Sequence, residues 1–182
     1  MAWLQNFDAG LLFFIQNHLT SPLGDGIMLF FSTIGNVGAI WLLAGAALLC
    51  FRKTRRTGAA VLLAVALCFV LGNLILKPLI ARPRPCWLYP ETALLLPNPT
   101  DFSFPSGHTM ASFAAAAVLL HVDKRLGFPA LVLAAFIGFS RLYLFVHFPS
   151  DVLAGAALGA LTGLLAVWLV QKSRRTAKLL TH

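Results

Sequence analysis

Five long apolar stretches follow one another along the chain, separated by charged residues or prolines. They cover about residues 27–50, 57–76, 106–122, 128–146 and 150–170. A helix crosses the hydrocarbon core of a bilayer with roughly 17–25 apolar residues, so each stretch is a candidate membrane-spanning helix. The pattern predicts an all-α protein, a polytopic transmembrane helical bundle that forms a single domain over residues 1–182.

The N-terminal segment has a different pattern. Residues 3–20 mix apolar and polar side chains, and their apolar core, 9–15, is too short to cross a bilayer. Such a segment is typical of an amphipathic helix that lies in the membrane interface. We therefore predict an N-terminal amphipathic helix within residues 1–22, with a sixth, short span as the alternative, so that the bundle has five to six spans.

The composition supports a membrane protein. Apolar residues make up 59% of the chain and charged residues only 11%. A soluble fold of this size could not bury so much apolar surface, and a disordered chain would have few aliphatic residues. The soluble and disordered classes are therefore excluded.

The net charge of +8 follows the predicted topology. Ten of the 14 Lys and Arg residues lie in the loops 51–56 and 123–127 and in the tail 171–182. Basic loops stay in the cytoplasm, and five alternating spans place all three segments on that side. We expect a multi-pass protein of the plasma (inner) membrane with a cytoplasmic C-terminus, and no nucleic-acid partner.

The opposite, periplasmic or extracellular side receives the long segment 77–105 and the turn 146–150. Seven prolines in residues 77–105 predict a stiff, largely non-helical stretch. Connections of this length are uncommon in compact domains unless they serve function. We predict that residues 77–105 form an outer loop that helps to build a site.

The remaining four cations, Lys77, Arg82, Arg84 and Arg141, lie on or next to this outer side. Charge at the membrane is costly and often marks a functional site. For Lys77 or Arg82 alone, snorkelling towards the head groups is an equal alternative. Arg141 lies in the last turns of a span and should need an anionic partner.

Two histidines lie at the same outer end. His108 follows Pro105, Ser106 and Gly107, which are typical of a helix start. The backbone N–H groups near Ser106, Gly107 and His108 should therefore point outwards unpaired and form an anion cradle. A phosphate would fit there, and Gly107 would let its oxygen approach the backbone.

His147 precedes Asp151 by four residues in the turn before the last span. This spacing allows the carboxylate to accept a hydrogen bond from one imidazole nitrogen and leaves the other nitrogen with a free lone pair. Such a histidine can act as a nucleophile or base. The alternative is an ordinary polar residue at a helix end, which is the interpretation we give to His18 and His121.

Carboxylates are scarce, with only six Asp and Glu residues in the chain. A two-metal phosphatase needs several oxygen ligands close together. The sequence instead offers cationic side chains, so we expect catalysis without a metal or any other cofactor.

Three motifs carry a family resemblance. Lys77-x6-Arg84-Pro85, Pro105-Ser106-Gly107-His108 and Ser140-Arg141-x5-His147-x3-Asp151 resemble the signature of the type 2 phosphatidic acid phosphatase superfamily. The resemblance implies that His147 is the nucleophile, Asp151 orients it, and His108 is the general acid and base. It also implies that Lys77, Arg84, Ser106, Gly107 and Arg141 bind the phosphate. Arg82 is not a fixed part of the signature, and we expect it to contact pyrophosphate or a head group.

The resemblance implies hydrolysis of a membrane lipid (pyro)phosphate at the outer face, through a phosphohistidine intermediate. The small size is similar to that of undecaprenyl pyrophosphate phosphatases, while phosphatidylglycerophosphate and phosphatidate phosphatases share the same motifs. A lipid phosphotransferase, a haloperoxidase relative and a structural or transport protein are the rival classes. The sequence leaves the natural lipid and the oligomeric state open.

Overall fold

The computed structural model describes residues 2–180, with side chains described for residues 3–173. This part of the chain is helical and contains no strand, which confirms the predicted all-α fold. The α-helices are α1 (Ala2–His18), α2 (Pro22–Ile34), α3 (Ala39–Leu49), α4 (Arg55–Cys68), α5 (Lys77–Ile80), α6 (Pro85–Leu88), α7 (Gly107–Val122), α8 (Lys124–Tyr143) and α9 (Pro149–Leu180). A long segment, 89–106, joins α6 to α7. The cationic side chains of the tail beyond residue 173 and the C-terminus itself lie outside the described side chains.

All five predicted apolar stretches form helices. Three helical stretches are long and apolar enough to cross a membrane: Arg55–Leu88, Lys124–Tyr143 and Pro149–Ser173. The pair Pro22–Ile34 and Asn36–Leu49 would add a fourth candidate, bent by 46°. Helix α7 is apolar but shorter, with 16 residues. The total of five to six spans therefore stays a prediction, as does the interfacial position of α1.

The prediction of one continuous helix over 27–50 was wrong, because the chain breaks between α2 and α3. The break is a 3-10 turn, Asn36–Gly38, in which Val37 has φ 53° and Gly38 φ 70°. Left-handed backbone cannot continue a right-handed helix, and for a β-branched residue such as Val37 it is strained. The break lies at the site end of the bundle, where strained backbone is often functional.

The non-helical segment starts later than the predicted loop 77–105. After α4 the chain continues as a π-helix, Phe69–Leu76, and then as the single turn α5. This helix ends at Ala81, where φ is 49°, and Pro83 follows. Apart from α5 and the turn α6, residues 77–105 are non-helical as predicted. Lys77 therefore sits on a helix and is held against the interior of the bundle.

Helix α7 lies at the centre of the bundle and packs against α4, α8 and α9. A ridge of small residues on α9 allows the closest of these contacts. A Cβ added at Gly159 would lie 2.2 Å from the Met110 carbonyl oxygen, and one at Gly163 would lie 2.4 Å from that of Ala114. The glycines thus let two backbones touch, as expected for small residues between membrane helices.

We predict that Gly159→Ala destabilises the protein, because the added methyl group would push α7 away from α9. Overpacking of this kind costs about 1–3 kcal/mol. The measurement is the thermal unfolding temperature in detergent. Gly10→Ala is the matched control, because nothing lies within 4 Å of a Cβ at Gly10; equal unfolding temperatures for the two variants would contradict the prediction.

Candidate active site

A cavity of about 750 Å³ opens at the end of the bundle where α7 and α9 begin and α8 ends. Five of the predicted site side chains, and the backbone of Gly107, line it together. Its polar wall is formed by Asn73, Lys77, Arg84, Asp101, Gly107, His108, Arg141 and His147. Three separate motifs of the sequence therefore meet in one place.

Three buried cations face this cavity. Lys77, Arg84 and Arg141 are only 6%, 2% and 5% exposed. Asp101 pairs with two of them: it accepts a hydrogen bond from Lys77 Nζ and another, at 2.7 Å, from Arg84 Nη2. The Arg84 Nε group also donates to the Asp101 carbonyl oxygen at 2.6 Å.

Arg141 has no such carboxylate. Among the side chains of residues 3–173 it makes no ion pair; its Nη1 donates to Ser32 Oγ, and its buried Nε has no hydrogen-bond partner. A buried donor without an acceptor costs about 1–3 kcal/mol, and more for a charged group. The predicted need for an anion at Arg141 therefore remains, and an anion bound in the cavity would meet it.

Asp101 was missed by the sequence reasoning. Burial alone would raise its pKa, but the hydrogen bond from Lys77 and the charge of Arg84 outweigh that effect and lower the pKa to about 2. The carboxylate is therefore charged at neutral pH. Three cations and one carboxylate leave the cavity with a formal charge of +2, which matches a phosphate dianion. Asp101 lies between two cationic motifs in a chain with few carboxylates, and this position was the signal that could have identified it from the sequence.

His147 is held by a relay that differs from the predicted direct contact. Its Nδ1 atom lies 3.7 Å from Asp151 Oδ2, which is too far for a hydrogen bond. The Ser103 hydroxyl lies between them: Oγ is 3.3 Å from His147 Nδ1 and donates to Asp151 Oδ2 at 2.5 Å. The sequence reasoning also missed Ser103, because one serine in an irregular loop carries no distinctive spacing.

The relay fixes the tautomer of His147. The Ser103 hydroxyl has one proton, which it gives to the carboxylate, so the contact at Nδ1 requires an N–H that donates to Ser103. The Nε2 atom then keeps the lone pair. It lies 3.2 Å from Arg84 Nη1, on the side of the cations.

His147 lies in the turn between α8 and α9, where it is 1% exposed. Burial and then the nearby charges of Arg84, Arg141 and Lys77 hold its pKa well below the ordinary value of 6.5. The imidazole is therefore neutral at neutral pH. A neutral, oriented imidazole whose Nε2 lone pair lies on the side of the cations is chemically a nucleophile or a base.

His108 lines the same cavity from the first turn of α7. Its Nε2 atom lies 2.9 Å from Asn36 Oδ1, in the turn that breaks the first predicted span. Asn36 was not singled out from the sequence. The strained turn thus places a polar side chain against the second histidine of the site.

The predicted anion cradle is only partly present. The Ser106 N–H is not free, because it donates to the Asp151 carbonyl oxygen at 3.1 Å. The Ser106 hydroxyl is fully buried and accepts from Thr109 Oγ1 at 2.9 Å. Gly107 does line the cavity, and its N–H and that of His108 belong to the first turn of α7, where no acceptor exists within the helix.

The structure gives Arg82 partners other than the expected pyrophosphate or head group. Its guanidinium does not line the cavity but forms ion pairs with Asp8 and Asp151. Asp151 is fully buried and also accepts from the Phe148 N–H at 2.8 Å. Arg82 therefore lies behind the relay, away from any bound phosphate.

Comparison with known proteins agrees with this geometry. Residues 56–175 match the model of the PAP2 superfamily. The chain is 35% identical over 157 residues to an undecaprenyl-diphosphatase of Sulfolobus acidocaldarius, covering 86% of this chain and 75% of that protein. It is 37% identical over 114 residues to phosphatidylglycerophosphatase B of Bacillus subtilis, but covers only 53% of that protein.

Two solved structures are similar over nearly the whole chain. A transmembrane PAP2 type phosphatidylglycerolphosphate phosphatase from Bacillus subtilis has a TM-score of 0.76 at 29% identity, covering 94% of this chain and 88% of that one. Aquifex aeolicus LpxE has a TM-score of 0.71 at 32% identity, covering 87% and 93%. The family model covers well over half of the sequence and includes all three motifs, so the chain belongs to the PAP2 superfamily and is a membrane phosphatase.

Proposed function

We propose that this protein removes the terminal phosphate from a membrane lipid (pyro)phosphate, with undecaprenyl pyrophosphate as the favoured substrate. The proposal rests on one observation: the same cavity has cationic side chains at one end and apolar side chains along one wall. Val65, Cys68, Phe69 and Leu74 line that wall from α4 and the π-helix, and Val37 lines it from the broken span. An anion attached to a hydrocarbon tail matches both parts.

The first chemical step is attack by His147 Nε2 on phosphorus. A nitrogen–phosphorus bond forms, the bond to the leaving oxygen breaks, and His108 supplies the proton that this oxygen needs. The relay through Ser103 to Asp151 holds the Nδ1–H and stabilises the positive charge that develops on the ring. The products of this step are a phosphohistidine and the dephosphorylated lipid, or the lipid monophosphate if the substrate is a pyrophosphate.

In the second step His108 accepts a proton from a water molecule that attacks the phosphohistidine. The nitrogen–phosphorus bond breaks, inorganic phosphate leaves, and His147 regains its lone pair. Lys77, Arg84 and Arg141, together with the Gly107 amide, stabilise the charge of the transferring group in both steps. Because side-chain cations supply this stabilisation, we expect no requirement for a metal.

The names of the relatives favour a lipid substrate. The archaeal relative is named an undecaprenyl-diphosphatase, the Bacillus relative a phosphatidylglycerophosphatase and a shorter match a lipid A 1-phosphatase. The longest of these matches motivates the choice of undecaprenyl pyrophosphate, and phosphatidylglycerophosphate is the alternative. The basic loops at the opposite end of the bundle support a site on the periplasmic or extracellular face.

A substrate panel tests the proposal. The purified protein should release phosphate fastest from undecaprenyl pyrophosphate, more slowly from phosphatidylglycerophosphate and phosphatidate, and equally well with a chelator. His147→Ala should reduce all of these rates to background in a protein that still folds, which its own unfolding transition would show. Faster release of phosphate from another lipid would make that lipid the favoured substrate. Loss of activity in the presence of a chelator would contradict the metal-free mechanism.

A second prediction separates the two histidines. His108→Ala should lower the rate with an alcohol leaving group by about 10²–10⁴-fold, the range typical of general acid catalysis. Formation of the phosphoenzyme from p-nitrophenyl phosphate should be less affected, because that leaving group needs no proton, so an acid-labile phosphohistidine should accumulate. His121→Ala, at the other end of α7, is the control. Equal losses with both substrates in the single-turnover rate of leaving-group release would contradict the role of His108.

Asp101 gives a third prediction. Asp101→Asn removes the charge that Lys77 and Arg84 share, so inorganic phosphate and vanadate should inhibit more strongly, by about tenfold or ~1.4 kcal/mol. Because the pKa of Asp101 is about 2, the difference should persist across the neutral pH range. Glu91→Gln, which removes an exposed carboxylate from the same loop, is the control. Weaker inhibition of Asp101→Asn would show that the carboxylate helps to hold the anion site rather than competing with its ligand.

A further inference from the structure

We propose that the N-terminal helix α1 completes the catalytic machinery, with Asp8 and Arg82 as positioning residues for Asp151 and, through Ser103, for His147. The inference rests on the proposed role of His147 as the nucleophile. Asp8 and Arg82 are charged residues that take no part in the proposed binding of phosphate.

Arg82 fixes one oxygen of the Asp151 carboxylate. Its Nη1 group donates to Asp151 Oδ1 at 2.5 Å, and its guanidinium carbon lies 4.3 Å from the centre of the Phe148 ring. The other oxygen, Oδ2, accepts from Ser103 and from the Phe148 N–H. Both oxygens are therefore held, and the carboxylate cannot rotate away from Ser103 without breaking a charged hydrogen bond.

Asp8 in turn fixes Arg82. Its Oδ2 atom accepts from Arg82 Nη2 at 2.6 Å, and its Oδ1 atom accepts from the Ser150 N–H at 3.0 Å. The Ser150 hydroxyl donates to Asp8 Oδ2 as well. One guanidinium thus bridges a carboxylate on α1 and a carboxylate on α9.

The location of Asp8 argues against a role in solubility or lipid contact. It is 1% exposed, on the same face of α1 as the buried Leu12 and Ile15. Leu12 packs with Phe145 and Phe148, which flank His147 in the turn. A carboxylate is very rarely buried without a partner because desolvation is costly, so α1 docks with its charge directed at the relay.

The bridge also sets the electrostatic balance at His147. Without Asp8, the charge of Arg82 would act on Asp151 alone and weaken its hold on the imidazolium form. Without Arg82, two buried carboxylates would face each other and favour the imidazolium. The other groups around His147 lie on α5, α7, α8 and α9, at the start of α6 and in the loop before α7. They are the same in both variants: Lys77, Arg84, Asp101, Ser103, His108, Arg141 and Asp151.

The experiment compares Asp8→Asn and Arg82→Met with Glu91→Gln in the full-length protein, using p-nitrophenyl phosphate. A displaced nucleophile costs about 10–100-fold, so kcat should fall by that factor in both variants while KM stays within about twofold of the control. The acidic limb of the kcat/KM profile should move to lower pH in Asp8→Asn and to higher pH in Arg82→Met. A purely structural role would not move the limb in opposite directions.

Conservative variants keep the test decisive if a variant unfolds. Asp8→Glu should recover part of the lost kcat. Arg82→Lys keeps the charge but replaces the planar fork with one shorter ammonium group, so it should lose kcat without the shift seen for Arg82→Met. Inhibition by inorganic phosphate should be unchanged in all variants, because Asp8 and Arg82 do not line the cavity. Wild-type kcat in Asp8→Asn, or a parallel loss of kcat and phosphate inhibition, would overturn the inference. A wild-type protein that hydrolyses no phosphate ester would instead contradict the proposed function.

Discussion

The mutual repulsion of three buried cations is the constraint on which the rest of the structure depends. Lys77 and Arg84 belong to one motif and Arg141 to another, far along the chain, yet all three face one cavity. Among the described residues that line it, Asp101 is the carboxylate, and it lies between Lys77 and Arg84. Like charges held this close raise the free energy of the folded state. Contacts between the packed helices must offset this unfavourable free energy. The site therefore lowers the stability of the folded protein, and a bound anion would relieve that loss.

Helix α7 allows this packing. Its N-terminus places His108 at the cavity, while the glycine ridge of α9 brings the helix that carries Asp151 into backbone contact with α7. The Ser106 N–H donates to the Asp151 carbonyl oxygen at that junction, so the starts of the two helices are joined directly. The two histidines line one cavity because the starts of two helices meet with little side-chain volume between them.

The parts of the site that could be predicted are those whose chemistry is unusual at a membrane. Cations beside apolar spans and a histidine four residues before an aspartate stand out in a chain of 59% apolar residues. Ser103 and Asn36 do not stand out, since single polar residues in turns are common and gain their roles only from tertiary contacts. The sequence reasoning missed Asp8 for a related reason. In a segment that mixes apolar and polar residues, a carboxylate that faces inwards has the same sequence pattern as one that faces water.

The break after α2 and the π-helix were not predicted either, because the apolar composition of 27–50 and 57–76 does not depend on how the helix is wound. The π-helix Phe69–Leu76 has the clearest consequence. A turn of a π-helix takes about one residue more than a turn of an α-helix, so rewinding the same eight residues as a regular α-helix would rotate everything after them. Lys77 would then turn away from Asp101. The pairing of Lys77 with Asp101 therefore depends on how this segment is wound and not only on how many residues it has.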